Sequence, residues 1–346
     1  MVKNVAVAGV AVLCAAVLLI FARQAVSGAA KGLETCAGII IPSLFPFLAV
    51  SAFAAVSPSC KYAMRFLSPV MRHVFRLPSA AAPAVLFGMI GGYPVGCTTA
   101  AQLYVRGEIN TEQAQRITCF CVNAGPAFVI TAVGSVMLSS VKAGVILCAS
   151  CVAASLIIGI MLGLTAEKPA ADEIKPTKGI GDIQALVEAT EKASASIIKI
   201  CAWTVLFACI YAVAENSGIK KDVLTVFECL FEVTGGCREL AKGSNLCTIA
   251  AALGWGGLCV CCQVMEGVRK TGAKLSVFFA FRAVHAALAA VLCSVLLKVF
   301  PVEMDAFSNV TAVTANAFSY SVPATVALLC LCAVFVIDLD RSKKMC

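Results

Sequence analysis

Long apolar blocks separated by short polar turns run along almost the whole chain and predict a succession of membrane helices. Residues 5–22, after Lys3, are long enough to cross a bilayer. Small residues at 25–30 allow a signal-peptide reading of this run. Equally apolar segments downstream favour an uncleaved first span. The next span, 37–56, contains Pro42-Ser43-Leu44-Phe45-Pro46-Phe47, whose prolines predict a kink or partial unwinding at its start. Residues 61–77 interleave Lys61, Arg65, Arg72 and Arg76 with Met64, Phe66, Leu67, Val70, Met71 and Phe75, the pattern of a basic amphipathic helix lying on the cytoplasmic surface.

Two further apolar segments, 79–105 and 117–138, carry interruptions at Gly91-Gly92-Tyr93-Pro94-Val95-Gly96 and Asn123-Ala124-Gly125-Pro126. Glycine and proline do not hold a regular helix through such points. An unpaired backbone amide in hydrocarbon costs several kcal/mol, so breaks at membrane depth are buried in protein or line a polar cavity. After a plain span at 143–164, the polar stretch 165–192 with Pro169 and Pro176 reads as a connector. The order then recurs: a span at 197–214, a Gly-Gly-containing segment at 222–242, an interrupted span at 245–265 broken at Gly254-Trp255-Gly256-Gly257, and a span at 275–299, followed by 320–338. Interrupted segments in corresponding positions of two halves point to an inverted-repeat transporter fold and to its binding site. The halves are 1–164 and 196–346, joined by a charged cytoplasmic connector at 165–195.

Composition agrees: 60% of the 346 residues are hydrophobic and 13% charged, and mean hydropathy is +0.94. The net charge of +8 therefore reflects basic cytoplasmic loops and calls for no nucleic-acid partner. If 79–105 and 222–242 are re-entrant hairpins and the amino terminus is cytoplasmic, 18 of the 27 Lys and Arg lie inside, eight outside, and Arg282 within a span. A full crossing at 79–105 alone would put 11 inside and 15 outside, against the positive-inside tendency. The expected fold is thus an all-α polytopic membrane protein with about seven spans, two re-entrant helical hairpins, two broken helices and both termini cytoplasmic. Most of the 20 cysteines sit in apolar runs as packing residues. Cys119-x-Cys121 and Cys259-x-Cys261-Cys262 have thiolate spacing, but no neighbouring His or second Cys pair completes a metal-ligand set, and no cofactor is expected.

The motifs Pro42-Ser43-Leu44-Phe45-Pro46-Phe47, Gly91-Gly92-Tyr93-Pro94-Val95-Gly96, Asn123-Ala124-Gly125-Pro126-Ala127-Phe128, Glu232-Val233-Thr234-Gly235-Gly236 and Gly256-Gly257-Leu258-Cys259-Val260-Cys261-Cys262-Gln263 occur in this order. Together they resemble the nucleoside-recognition, or gate-domain, membrane proteins, and within them a branch of sporulation membrane proteins. The resemblance implies an inverted-repeat core like that of concentrative nucleoside transporters and of the membrane part of ferrous-iron transporters. It also implies a role in a spore-forming bacterium. The chain has no Gly-x-x-x-x-Gly-Lys-Ser/Thr loop of the iron transporters' GTPase portion, and no Gln-Thr-Glu hairpin pattern of the nucleoside transporters.

Polar groups at or beside the breaks are the candidate ligand-binding set: Gly91, Gly92, Tyr93, Pro94, Thr98, Thr99, Gln102, Asn123, Gly125, Pro126, Thr234, Gly235, Gly236, Gly256, Gly257 and Gln263. Unwound backbone exposes amides and carbonyls, and half-helix ends carry partial charge, so such a set can coordinate an ion or polar solute. The same groups could instead satisfy one another and pin the hairpin to its neighbour. Glu232, beside the second Gly-Gly pair, is a candidate for a proton or cation, whereas Glu228 is expected at the outer surface near Lys220 and Lys221. Arg282 and His285, three apart in an apolar span, are expected to form an ion pair with Glu232 or Glu239, or to couple protons through His285. No Ser-His-Asp or Cys-His arrangement suggests an enzyme.

The expectation is a bacterial cytoplasmic-membrane protein that moves or senses a small polar solute or ion. The alternatives are a non-transporting scaffold, homo-oligomeric or bound to spore-envelope proteins, and a ferrous-iron or other metal permease. The hairpin topology predicts that reporter cysteines at positions 110 and 270 react with an impermeant reagent from the cytoplasmic side only. Labelling from opposite faces would overturn it.

Overall fold

The computed structural model describes residues 2–169, 181–243 and 245–302, and every regular element among them is helical. Five of these helices are long and apolar enough to cross a membrane: Ala22–Val56, Val141–Leu164, Asp182–Glu215, Leu246–Lys270 and Leu275–Val299. The chain is therefore a polytopic α-helical membrane protein, and large apolar side chains such as Ile160, Met161, Val291 and Val295 face outward, where lipid would cover them. The span expected at 320–338 lies outside the described residues.

An apolar helix, α1 (Val2–Ile20), leads into α2 (Ala22–Thr35), a π-turn (Cys36–Ile40) and α3 (Ile41–Val56). The stretch with Arg23 and Lys31 between the expected spans 5–22 and 37–56 is also helix, continuous with α3 over 35 residues. Its placement follows from Gly28 and Gly32, four residues apart, which let α2 lie directly on the backbone of α10 (Asp182–Glu215). A Cβ added at Gly28 would stand 2.5 Å from the Ala208 carbonyl oxygen. The break expected before Pro42 is resolved as a π-turn, in which Ile41 N–H donates to the Cys36 carbonyl. The Ser43 hydroxyl donates to Ile39 O at 2.6 Å in the turn that follows.

The expected surface helix 61–77 is not one helix. It splits into α4 (Pro58–Ala63), a 3₁₀ turn (Met64–Leu67) and α5 (Ser68–His73), because Pro69 starts a new first turn and Arg76 adopts φ 46°. It remains two-sided: Tyr62, Phe66, Val70 and Val74 are exposed, while Met71, Phe75 and Leu77 are buried. Lys61 pairs with Glu108 at 2.6 Å and ties this corner to the first hairpin. Ser57 and Ser59 both donate to the Asp182 carboxylate, at 2.5 and 2.6 Å, and anchor the start of α10, so residues 182–195 of the expected connector are helix.

The first hairpin is α6 (Ala82–Ile90) folded back on α7 (Tyr93–Val105), and the second is α11 (Lys221–Phe231) folded back on α12 (Val233–Ala241). At 1.5 Å per residue none of the four arms exceeds about 20 Å, short of the ~30 Å hydrocarbon thickness. Each hairpin precedes a broken helix. The first is α8 (Thr111–Phe120), non-helical residues 121–125 and a π-helix (Ala127–Met137); the second is α13 (Leu246–Trp255) and α14 (Gly257–Lys270), separated by Gly256. The straight helices α9 (Val141–Leu164) and α15 (Leu275–Val299) follow the two breaks.

Gly28→Ala forces α2 away from α10 and is expected to cost about 1–3 kcal/mol. Gly38→Ala enters open space and should leave the melting temperature of the detergent-purified protein unchanged. Equal melting of the two variants would show that this contact does not hold the helices together.

Candidate functional site

The two breaks meet at the centre of the described fold, and one side chain joins them. Arg282 on α15 is 1% exposed and donates to three backbone carbonyls: Trp255 O through Nε at 3.1 Å, Gly254 O through Nη2 and Val122 O through Nη1. Gly254 and Trp255 end α13, and Val122 lies just beyond the end of α8. Carbonyls there have no helical partner and carry the negative end of the helix dipole, so a guanidinium is the matching donor. The expected ion pair with Glu232 or Glu239 does not form, because these carbonyls occupy all three nitrogens.

His285, one turn on and also 1% exposed, extends the network. Its Nδ1 faces Gly254 O at 3.1 Å, and its Nε2 faces Cys151 O at 3.0 Å and Ser155 Oγ at 3.2 Å. Ser155 donates to Asn123 Oδ1 at 2.6 Å, and Asn123 Nδ2 reaches Met89 Sδ at 3.2 Å and Phe120 O at 3.3 Å. Asn123 is thus fully enclosed, with its amide engaged from α9, α6 and α8. Hydroxyls in apolar helices pair in this way when hydrocarbon offers no alternative. Ser155 and Cys151 had no sequence signal beyond being small residues within α9.

Each hairpin tip rests on one break. At the first, Gly92 adopts φ 99°, ψ 170°, a conformation open to glycine, and approaches the backbone of Gly125. Pro94 then starts α7, and Tyr93 crosses to the other half, donating its hydroxyl to Leu253 O at 2.8 Å beside Gly256. At the second, the turn is at Glu232, two to four residues before the expected Thr234-Gly235-Gly236 tip. Glu232 has φ −139°, and its carboxylate accepts from Thr234 N–H at 3.0 Å and Gly235 N–H at 2.6 Å, so it is the N-cap of α12. Gly235 and Gly236 instead let the arms cross closely: Cβ atoms there would strike Glu228 Oε1 and the Cys229 backbone. Gly256 and Gly257 both have positive φ, and Gly257 lies against Phe231 O while Trp255 Nε1 donates to Leu230 O at 3.0 Å.

Two cavities flank this centre beside α10, one along its carboxy-terminal part (Thr204 to Glu215) and one along its middle (Lys192 to Ile200). The first, about 220 Å³, is lined by Thr204, Tyr211, Glu215, Glu228, Glu232, Glu239, Lys31 and Arg238 among others. The second, about 300 Å³, is lined by Thr98, Gln102, Arg106, Lys192, Lys199, Gln263, Glu266 and Lys270 among others. Gln263 therefore belongs to the second cavity and not to the meeting point of the tips. Thr98 and Thr99 donate to the carbonyls of Pro94 and Val95 within their own helix, at 2.7 and 2.8 Å. Gln102 keeps a buried Oε1 with no partner among the described residues. Between the cavities stands Cys259: Gln263 Nε2 donates to its Sγ at 3.3 Å, and Thr204 Oγ1 lies 4.0 Å from the same atom. Thr204 lines the first cavity and Ile200, one turn earlier, the second.

The chain is 22% identical over 310 residues to the sporulation integral membrane protein YlbJ of Bacillus subtilis (strain 168), covering 77% of this chain and 76% of that protein. No protein-family model matches the chain, and no solved structure does. The similarity and the five apolar helices agree on a multi-pass integral membrane protein.

Arg282→Met strands three carbonyls in the interior and is expected to destabilise the protein by roughly 3 kcal/mol or more. Arg282→Lys, with one donor head instead of a fork, should recover only part. A melting temperature unchanged in Arg282→Met would show that the breaks are held by other contacts.

Proposed function

We propose that the protein moves a small polar solute or ion across the bacterial cytoplasmic membrane through a gate-domain, inverted-repeat fold, in a role linked to sporulation. The observation that carries this reading is the pair of cavities that lie one turn apart along α10, with Thr204 of the first and Gln263 of the second both reaching the Cys259 sulfur between them. Alternating access needs such an arrangement: a vestibule toward each side and a thin partition beside discontinuous helices. The recurring order of hairpin, broken helix and straight helix supports two repeats of opposite orientation. About seven spans, with both termini cytoplasmic, would place the basic second cavity inside and the acidic first cavity outside. The similarity to a sporulation membrane protein supports the physiological setting. The protein acts by binding and conformational change rather than as an enzyme, and Thr98, Gln102 and Gln263, which line the second cavity, form the solute path beside the breaks.

A scaffold role is the second reading, favoured by one observation. Tyr62, Phe66, Val70 and Val74 stand exposed at four-residue intervals, and Arg65 lies over the Tyr62 ring at 5.0 Å. Such a row would rest on lipid headgroups or on another envelope protein.

A thermal-shift screen of polar solutes, followed by uptake into proteoliposomes, tests transport. Gln263→Ala should lower the uptake rate of a stabilising solute about tenfold, equivalent to ~1.4 kcal/mol, at unchanged melting temperature. Uptake no faster than in empty liposomes, with a sporulation defect that follows Phe66→Asp instead, would favour the scaffold.

A further inference from the structure

Glu228 sits on α11 in the wall of the first cavity and is 9% exposed, and its Oε2 has no hydrogen-bond partner among the described residues. A buried carboxylate left in this state is costly, so the site is incomplete as it stands. Charges from every element around the cavity face it: Lys31 from α2, Glu215 from α10, and Glu232, Arg238 and Glu239 from α12 and its cap. The carboxylates outnumber the cations, and their partners are uneven. Glu232 is spent on the cap of α12, and Glu239 pairs with Lys242. Glu228 Oε2 is the buried carboxylate oxygen left open in this cavity, and the carboxylate is held in place over Gly235, where an added Cβ would come within 2.1 Å of Oε1.

We infer that the first cavity binds a monovalent metal cation at Glu228, with hydroxyls of neighbouring cavity residues such as Tyr211 and Thr234 completing an oxygen shell. Oxygen ligands suit a hard cation. A divalent ion is a poorer match, since no group of three or more His, Cys, Asp or Glu residues converges among the described residues. The site sits where the second hairpin closes on α10, so occupancy would couple ion binding to the position of the hairpin tip. The inference deepens the transport reading by naming an ion in one of its vestibules. It is measured on the purified protein without net transport, so failure of uptake and failure of ion binding are separate results.

The test uses full-length protein in detergent, with NaCl, KCl or LiCl exchanged against N-methylglucamine chloride at constant ionic strength. One alkali ion should raise the melting temperature by about 3 °C or more over the organic cation. Glu228→Gln should abolish that rise while melting no lower than wild type in N-methylglucamine, because it removes an uncompensated charge. Gly235→Ala keeps the carboxylate but displaces it, and should weaken binding of radioactive sodium or rubidium at least tenfold. That measurement decides the matter if Glu228→Gln does not fold. No ion-specific shift, a shift retained in Glu228→Gln, or stability that responds to pH but to no alkali ion would each overturn the inference.

Discussion

Three carbonyls without helical partners, at the ends of two broken helices, constrain the whole centre of this protein. Water satisfies such groups at the surface of a soluble domain; at membrane depth a side chain has to. Arg282 supplies three nitrogens from a neighbouring straight helix, and the rest of the centre is built around that clamp. Because the acceptors come from α13 on one side and the segment after α8 on the other, the guanidinium holds the two breaks in register. His285, Ser155 and Asn123 then extend the polar network beside it.

The hairpins depend on that centre. Their arms are too short to cross a bilayer, so each tip must end inside the protein, against backbone that is also non-helical. Gly92 at Gly125, and Phe231 and Glu232 at Gly257, are the two places where this happens, and Tyr93 links the first tip to the second break. A clamp that unites both breaks leaves the space around α10 divided. The acidic cavity faces the second hairpin and the basic cavity faces the first, with Cys259 between them.

The spans were legible because burying apolar side chains in lipid needs only length and composition, which are local. The breaks at Gly91-Gly92, Asn123 to Pro126 and Gly256-Gly257 were legible because backbone conformation is a property of those residues themselves. The reading departed from the fold for two reasons, a contact between distant residues in one place and a local proline turn in another. The stretch with Arg23 and Lys31 falls between two expected spans, yet it is helix packed on α10, where Gly28 and Gly32 fit against Ala208 some 180 residues later. Residues 61–77 read as one helix by periodicity, which does not register the new turn that Pro69 starts.

Charge partners were the least legible feature. Opposite charges suggested Glu232 or Glu239 for Arg282, but the arginine lies among carbonyls, Glu232 caps its own helix, and Glu228, read as a surface residue, is the carboxylate left enclosed. By itself the sequence determined a multi-pass helical membrane protein with paired interruptions, since hydropathy and glycine or proline act locally. Only the tertiary structure decided which polar group meets which, because in the dry interior a charge is satisfied by whatever acceptor packing brings within 3 Å or so, and backbone carbonyls are acceptors that no residue name reveals.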